Sequence, residues 1–219
     1  MWPYRPRLTR KGRTFGSACS RRGFRKNLWG GDRPPATHYH LGAQGGFYAE
    51  FLTPLVGSEQ DRGGKRKATR EVGGISSQQL RYADILLASP WKVELGQNNG
   101  YPFDPVKQLQ IANPASFLAQ KILIQGERDR KDRAKDILYI HDTIEAFSGN
   151  LIELRDIFVN HIRSGLHAKR VRELANAAEA MFASVNDNIR ESALMAKGRN
   201  LNGEVMIESC RAGLKEVFP

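Results

Sequence analysis

Apolar positions along this chain fall into two regimes. Up to residue 112 they come in short clusters, some alternating with polar residues; from residue 113 on they recur every three or four positions. The second regime predicts helices. Asn113 is a good N-cap, with Pro114 at the first helical position, and Phe117, Leu118, Lys121, Ile122 and Gln125 fall on neighbouring turns. A second helix is expected over roughly 129–147, with Ala134, Ile137, Leu138, His141 and Ile144 as its apolar stripe. Ser148-Gly149-Asn150 stops it, and Asn150 starts a third helix carrying Leu151, Leu154, Phe158 and Ile162. Ala-rich helices at about 168–185 and 187–197, and a last one near 204–217, complete a helical bundle.

The first regime predicts strands and loops. Residues 36–56 look extended: Thr37-His38-Tyr39-His40 puts both histidines on one face, and Phe47-Tyr48-Ala49-Glu50-Phe51-Leu52 reads as a strand that Thr53-Pro54 ends. Residues 57–76 hold five basic residues and five glycines and read as a polar loop. Residues 76–89 place Leu80, Ala83, Ile85, Leu86 and Leu87 as a short helix ending at Pro90. Trp91–Leu95 and Val106–Ile111 then read as strands around a turn-forming Gly-Asn-Pro segment. The fold class is α+β: a small mixed sheet followed by a C-terminal helical bundle. Residues 1–35, rich in Arg, Gly and Pro, form a basic, partly disordered segment; 36–112 an α/β domain; 113–219 a helical domain.

Charge sharpens this division. Residues 1–75 hold 15 Lys and Arg against 5 Asp and Glu, so +10 of the chain's net +11 belongs to its first third. Such a segment is a footprint for phosphate, in a nucleotide or a nucleic acid, or else a solvated arm. No apolar run approaches the ~20 residues of a membrane helix, and the basic N-terminus lacks the apolar stretch of a secretory signal. The two cysteines, Cys19 and Cys210, are far apart in sequence; this suits a reducing, cytoplasmic compartment and excludes a cysteine-rich zinc module.

Some residues carry candidate chemistry. Glu50 interrupts an apolar strand, where an ionised carboxylate needs a compensating cation or metal. Lys121, Arg128 and Lys135 are spaced by seven and seven, about two helical turns, so each pair could share a face and clamp a polyphosphate; a solvated charged face is the alternative. Gly126 loosens the helix between them, and Lys121, mid-helix among Phe117, Leu118 and Ile122, needs a partner or a route to solvent along its stem. His38 and His40 have no nearby third metal ligand in the sequence. Arg21, Arg22, Arg25 and Lys26 interleave with Phe24 and Trp29, and Lys65, Arg66 and Lys67 lie among glycines; either group suits nucleic-acid backbone, or a solvated loop. Gly73-Gly74-Ile75-Ser76 has no Gly-Lys-Ser/Thr and is not a P-loop.

Three stretches, Gly46–Glu59, Leu80–Pro90 and Leu109–Ile140, resemble bacterial nucleotidyltransferase-like proteins of the DNA polymerase beta superfamily, a group that includes abortive-infection nucleotidyltransferase toxins. The likeness covers about 22–147 and is most specific at Asn113-Pro114, Lys121, Arg128 and Lys135-Asp136. It implies a partial nucleotidyltransferase palm. Ala49-Glu50-Phe51 matches that group's hydrophobic–acid–hydrophobic strand, so Glu50 is implied as a catalytic carboxylate and ligand of Mg²⁺. Lys121, Arg128, Lys135 and Asp136 are implied as the nucleotide-binding set. The group's other metal ligands are two acids one residue apart, after a Gly-Ser or Gly-Gly. Here Gly16-Ser17 is followed by no acid until Asp32, with Pro34 two further on. The expectation is that the chain begins inside the catalytic domain or has diverged there, and that catalysis is impaired.

Two functions compete at this level. One is transfer of a nucleoside monophosphate from an NTP to a hydroxyl on RNA, protein or a small molecule, with an antitoxin-like partner implied by the resemblance. The other is a non-catalytic module that uses the basic third on nucleic acid and the helices as a partner surface.

Overall fold

The computed structural model describes residues 15–30, 35–42, 47–58, 60, 62–64, 67–196 and 198–219. The chain forms two compact units, Met1–Ala83 and Asp84–Pro219. As expected, the class is α+β, with the helices concentrated in the C-terminal part.

The first unit begins with a helix, α1 (Phe15–Arg21), and a strand, β1 (Arg25–Trp29), inside the segment whose sequence shows no period. β1, β2 (Ala36–His40) and β3 (Tyr48–Glu50) form an antiparallel sheet in that order. The extended reading is therefore right at 36–40, 48–50 and 52–54, but Thr53-Pro54 does not end a single strand. The chain breaks at Phe51, and β4 (Leu52–Pro54) runs parallel to β6 (Ile75–Leu80) in a second sheet, ordered β4-β6-β5 with β5 at Thr69–Val72. Pro54 is tolerated because β4 is an edge strand.

Two expectations fail in this region. The polar loop at 57–76 contains β5, and the helix at 76–89 is strand β6 followed by a turn and one 3₁₀ turn at Ile85–Leu87. Gly73 and Gly74, at φ of 60° and 78°, supply the left-handed pair that closes a two-residue hairpin between β5 and β6. Tyr82 at φ 63° stops helix from forming over 76–89. Two hydroxyls at the centre of the sheet find partners: Ser77 Oγ donates to Arg70 O at 2.9 Å and meets Thr53 Oγ1 at 3.1 Å, and Thr37 Oγ1 accepts from Ser76 N at 3.3 Å, while Ser76 Oγ is buried without a hydrogen bond. The core of this unit is small, with Tyr39 fully buried and set edge-on to Phe51 at 5.8 Å.

The second unit opens with the expected hairpin, β7 (Trp91–Leu95) and β8 (Lys107–Ile111), antiparallel. Asn113 then does two jobs. Its Oδ1 accepts from Ser116 N at 2.8 Å, capping α2 (Pro114–Leu123), and its Nδ2 donates to Ala88 O and Ser89 O at 2.8 and 3.0 Å. The helix start is thus pinned to the chain before β7, and Trp91 packs edge-on against Phe147 at 5.8 Å. The helices α3 (Arg130–Ala146), α4 (Leu151–Ile157, continued as a π turn through Ile162), α5 (Ala168–Met181), α6 (Asp187–Met195) and α7 (Gly203–Val217) follow the expected spans. Asp129, Asn186 and Asn202 cap α3, α6 and α7 through their side chains. Leu118, Ile122, Ile137, Ile140, Leu154, Phe158, Phe182, Ile189 and Met206 are fully buried and form the core.

Helices α3 and α7 approach closely at Gly213. A Cβ there would overlap Ile144 Cγ2 and sit 2.9 Å from its Cδ1. Alanine normally gains about 1 kcal/mol over glycine in a helix, but overpacking costs about 1–3 kcal/mol. Gly213→Ala should therefore lower the urea unfolding midpoint. In an Ile144→Ala background, where the colliding atoms are gone, the same change should be neutral or stabilising. A Gly213→Ala protein with an unchanged or raised midpoint would refute this packing.

Candidate functional site

Two constellations carry chemistry, one in each unit. Lys121 lies on α2, Arg128 on the short link containing a 3₁₀ turn at Gln125–Glu127, and Asp136 one turn and a half into α3. The break around Gly126 lets α3 fold back so that the two cations meet the carboxylate. Lys121 Nζ stands 2.6 Å from Asp136 Oδ1, and Arg128 Nε 3.2 Å from Oδ2. Asp136 has no exposed surface, whereas the Lys121 side chain is 12% exposed. Lys121 Nζ also lies 5.5 Å from the Phe117 ring and 5.6 Å from the Tyr139 ring. The mid-helix lysine thus has both a partner and two aromatic faces.

The link itself is held by Arg133, whose Nε donates to Arg128 O at 2.8 Å and Gln125 O at 3.1 Å. Lys135 belongs elsewhere. Its Nζ donates to Asp132 Oδ1 at 2.7 Å, one turn earlier on α3, and its side chain is 46% exposed. That hydrogen bond holds the Asp132 carboxyl below its ordinary range and Lys135 above its own. The seven-and-seven spacing therefore brings together Lys121, Arg128 and Asp136, while Lys135 turns to Asp132. The spacing misleads because the chain is not one helix: α2 ends at Leu123 and α3 starts at Arg130.

In the sheet unit, Glu50 stands opposite His38 across β2 and β3, and Tyr48 opposite His40. Glu50 is 38% exposed, so the acid is not buried in an apolar strand; its Oε2 lies 3.5 Å from His38 Nε2. His38, His40, Tyr48 and Glu50, with Gly30, Ala36, Thr69 and Gln78, line a cavity of about 460 Å³. The rings are stacked: Tyr48 lies 5.6 Å from both His38 and His40, at 18° and 23°.

This arrangement bears on Mg²⁺. β3 has β2 as its sheet neighbour. A pair of metal ligands one residue apart, on the face that Glu50 shares, would therefore stand at positions 38 and 40. Both are histidine. Mg²⁺ demands oxygen ligands at about 2.0–2.1 Å in octahedral array, and imidazole suits other metals. Among the described residues, no group of three or more His, Cys, Asp or Glu side chains could hold a metal ion. Glu50 with its present neighbours does not fit a two-Mg²⁺ site. Sequence reading noted both histidines and Glu50 but did not place them together; only the pairing of β2 with β3 does so.

Arg21, Arg22 and Lys26 are exposed around the α1–β1 turn, and Arg25 Nη2 donates to Gly42 O at 2.8 Å. Phe24 packs edge-on to Phe47 at 6.2 Å, so its ring has a protein neighbour. Lys67 is half-buried; Lys65, Arg66, Asp32 and Pro34 lie outside the described residues. No helix among the described residues is long and apolar enough to cross a membrane.

Residues 23–159 match the model of a nucleotidyltransferase family, well over half of the chain, and the chain belongs to that family. No curated protein and no solved structure matches it.

The buried triad yields a stability prediction. Removing one partner of a buried ion pair costs about 3–5 kcal/mol, because the other charge is left uncompensated. Lys121→Met should lower unfolding free energy by that order, read by urea denaturation. Joined to Asp136→Asn, it should cost clearly less than the sum of the two single changes. Strict additivity in that double-mutant cycle would show that the pair is not coupled.

Proposed function

We propose that this nucleotidyltransferase acts by moving a nucleoside monophosphate from an NTP to a hydroxyl on RNA, protein or a small molecule, and that the residues described do so only weakly with Mg²⁺. The acceptor oxygen attacks the α-phosphorus, the bond to the bridging oxygen breaks, and pyrophosphate leaves. The hydroxyl proton must pass to a base, a role for which Glu50 is the candidate. The observation that carries the reading of weak catalysis is the pair His38 and His40 facing Glu50, where a hard cation would need oxygen ligands.

In the helical unit, taken by itself, Lys121 and Arg128 are the candidate phosphate ligands. Each keeps hydrogen-bond donors after serving Asp136: an ammonium has three and a guanidinium five, and Asp136 takes one from each. Asp136 then acts as a positioning group that fixes both cations. Lys135 would join only by leaving Asp132. Charge-assisted contacts are worth about 1.5–3 kcal/mol each, so Arg128→Ala should weaken NTP binding roughly tenfold to a hundredfold by calorimetry. Arg128 is the better probe than Lys121, whose loss also strands a fully buried carboxylate.

The test of catalysis is pyrophosphate release from ATP, GTP, CTP and UTP with Mg²⁺. Trace rates are expected for all four. Turnover well above trace that Glu50→Ala abolishes would overturn the weak-catalysis reading. Absence of any NTP binding would overturn the nucleotide site itself.

A further inference from the structure

The helical unit is neutral in sum but uneven in the placement of its charge. Residues 84–219 hold 18 Lys and Arg and 18 Asp and Glu. Four of those cations, Arg163, Lys169, Arg170 and Arg172, fall between Asp156 and Glu173, a stretch with no acid. The rest of the unit carries the opposite excess. Local structure gathers the four. The π turn that continues α4 ends at Ile162, a 3₁₀ turn follows at Arg163–Gly165, and Leu166 N donates back to Arg163 O at 3.1 Å. α5 starts at Ala168, so only a compact turn separates Arg163 from Lys169. Along α5, Val171, Leu174, Ala178 and Met181 recur at helical spacing and are partly or wholly buried. Lys169 and Arg172, three residues apart, lie on the opposite side and are exposed, as is Arg163. Lys169 Nζ is 3.7 Å from Glu173 Oε1, whereas Arg163 and Arg172 have no ion-pair partner among the described residues. His167 caps α5 by accepting from Lys169 N at 3.2 Å through Nδ1, which leaves its ring proton on Nε2, a further donor.

We infer that the turn between α4 and α5 is a docking surface for the phosphodiester backbone of a nucleic-acid acceptor. The inference rests on the nucleotidyltransferase reading and narrows it: the hydroxyl that receives the nucleotide belongs to a nucleic acid. A run of side-chain donors without a carboxylate fits a ligand that only accepts, and a phosphodiester chain repeats such a group at every link. Three of the four cations are arginine, which meets phosphate through two parallel N–H groups. Other anionic partners fit less well. Basic segments that lie on lipid carry apolar anchors beside their charges, and protein interfaces have an apolar centre. Here no large apolar side chain is exposed between residues 160 and 172.

Fluorescence anisotropy of the full chain with a short labelled single-stranded RNA, and with DNA of the same sequence, tests the surface without any NTP. Arg163→Gln joined to Arg172→Gln should weaken binding by about tenfold at about 0.1 M salt and lower the slope of log affinity against log salt by about 1.4, since each single-strand phosphate contact contributes about 0.7. Both arginines are exposed, so the urea unfolding midpoint should not move. Lysine at both positions, which keeps the charge, should restore most of the affinity. Binding of either oligonucleotide with this sensitivity supports the proposal. Unchanged affinity and slope in the glutamine pair would overturn it. So would a loss seen only when Arg21 and Arg22 of the other unit are changed to Gln, or binding to anionic phospholipid vesicles and to neither oligonucleotide. If oligonucleotides ignore Arg163 and Arg172 while NTP binding still responds to Arg128→Ala, the surface falls and the nucleotidyltransferase reading stands. Oligonucleotide binding that depends on Arg163 and Arg172, in a chain that takes up no NTP, would do the reverse.

Discussion

The helical unit depends on a carboxylate removed from water. Asp136 is fully buried, and burying an ionised carboxylate costs several kcal/mol unless it is paired and hydrogen-bonded. Lys121 from one helix and Arg128 from the link meet that requirement from two directions. Their contacts set the return of α3 onto α2, and Arg133 fastens the same link through two carbonyls. Apolar packing along Ile122, Ile137 and Ile140 is non-directional and tolerates several arrangements. The ionic triad does not, since each atom pair has one good separation. It is this triad, rather than the apolar stripe, that makes the bend at Gly126 specific.

The same triad limits what the cations can do for a ligand. Both positive charges sit beside the Asp136 carboxylate, and Arg128 Nη1 also lies 4.0 Å from Asp132 Oδ2, so the net charge offered to a phosphate is less than the sequence suggests. What remains is orientation. A lysine held between Phe117 and Tyr139, and a guanidinium fixed through its Nε, have already lost rotamer freedom on folding. A ligand meeting them need not bear that entropic cost again, which for long side chains is about 0.5–1.5 kcal/mol each. Preorganisation thus offsets part of the neutralised charge.

Legibility followed the range of the interactions. The helices were readable because their signals are local: Asn113-Pro114 as cap and first turn, and the stripe Ala134, Ile137, His141, Ile144. Hairpin β7–β8 was readable for the same reason. Strand β6 was not, because Ser76, Ser77 and Gln78 lack any apolar alternation; Ser76 and Ser77 find partners in Thr37 and Thr53, which are distant in sequence, and in Arg70 across the hairpin. Local propensity favoured a helix through Ile85–Leu87, and tertiary hydrogen bonding overrode it. At the sites, Lys121, Arg128 and Asp136 were legible as a set, yet Lys135 seemed equivalent until Asp132 claimed it. Glu50 was legible as an oddity. That it faces His38 is a matter of strand register, which no sequence period contains.

Register also separates geometry from chemistry at Glu50. Three side chains capable of binding metals share one region of a sheet, and a pleated strand puts residues one apart on the same face whatever they are. Backbone geometry alone therefore cannot distinguish an acid pair from His38 and His40. The side chains do. Carboxylates side by side repel until a cation neutralises them, so an acid pair creates a demand for metal. Imidazoles make no such demand: both rings stack on Tyr48. Glu50 then has His38 Nε2 3.5 Å from its Oε2 and lines a cavity of about 460 Å³. What a lone carboxylate can hold at this place is limited by the two residues across the strand.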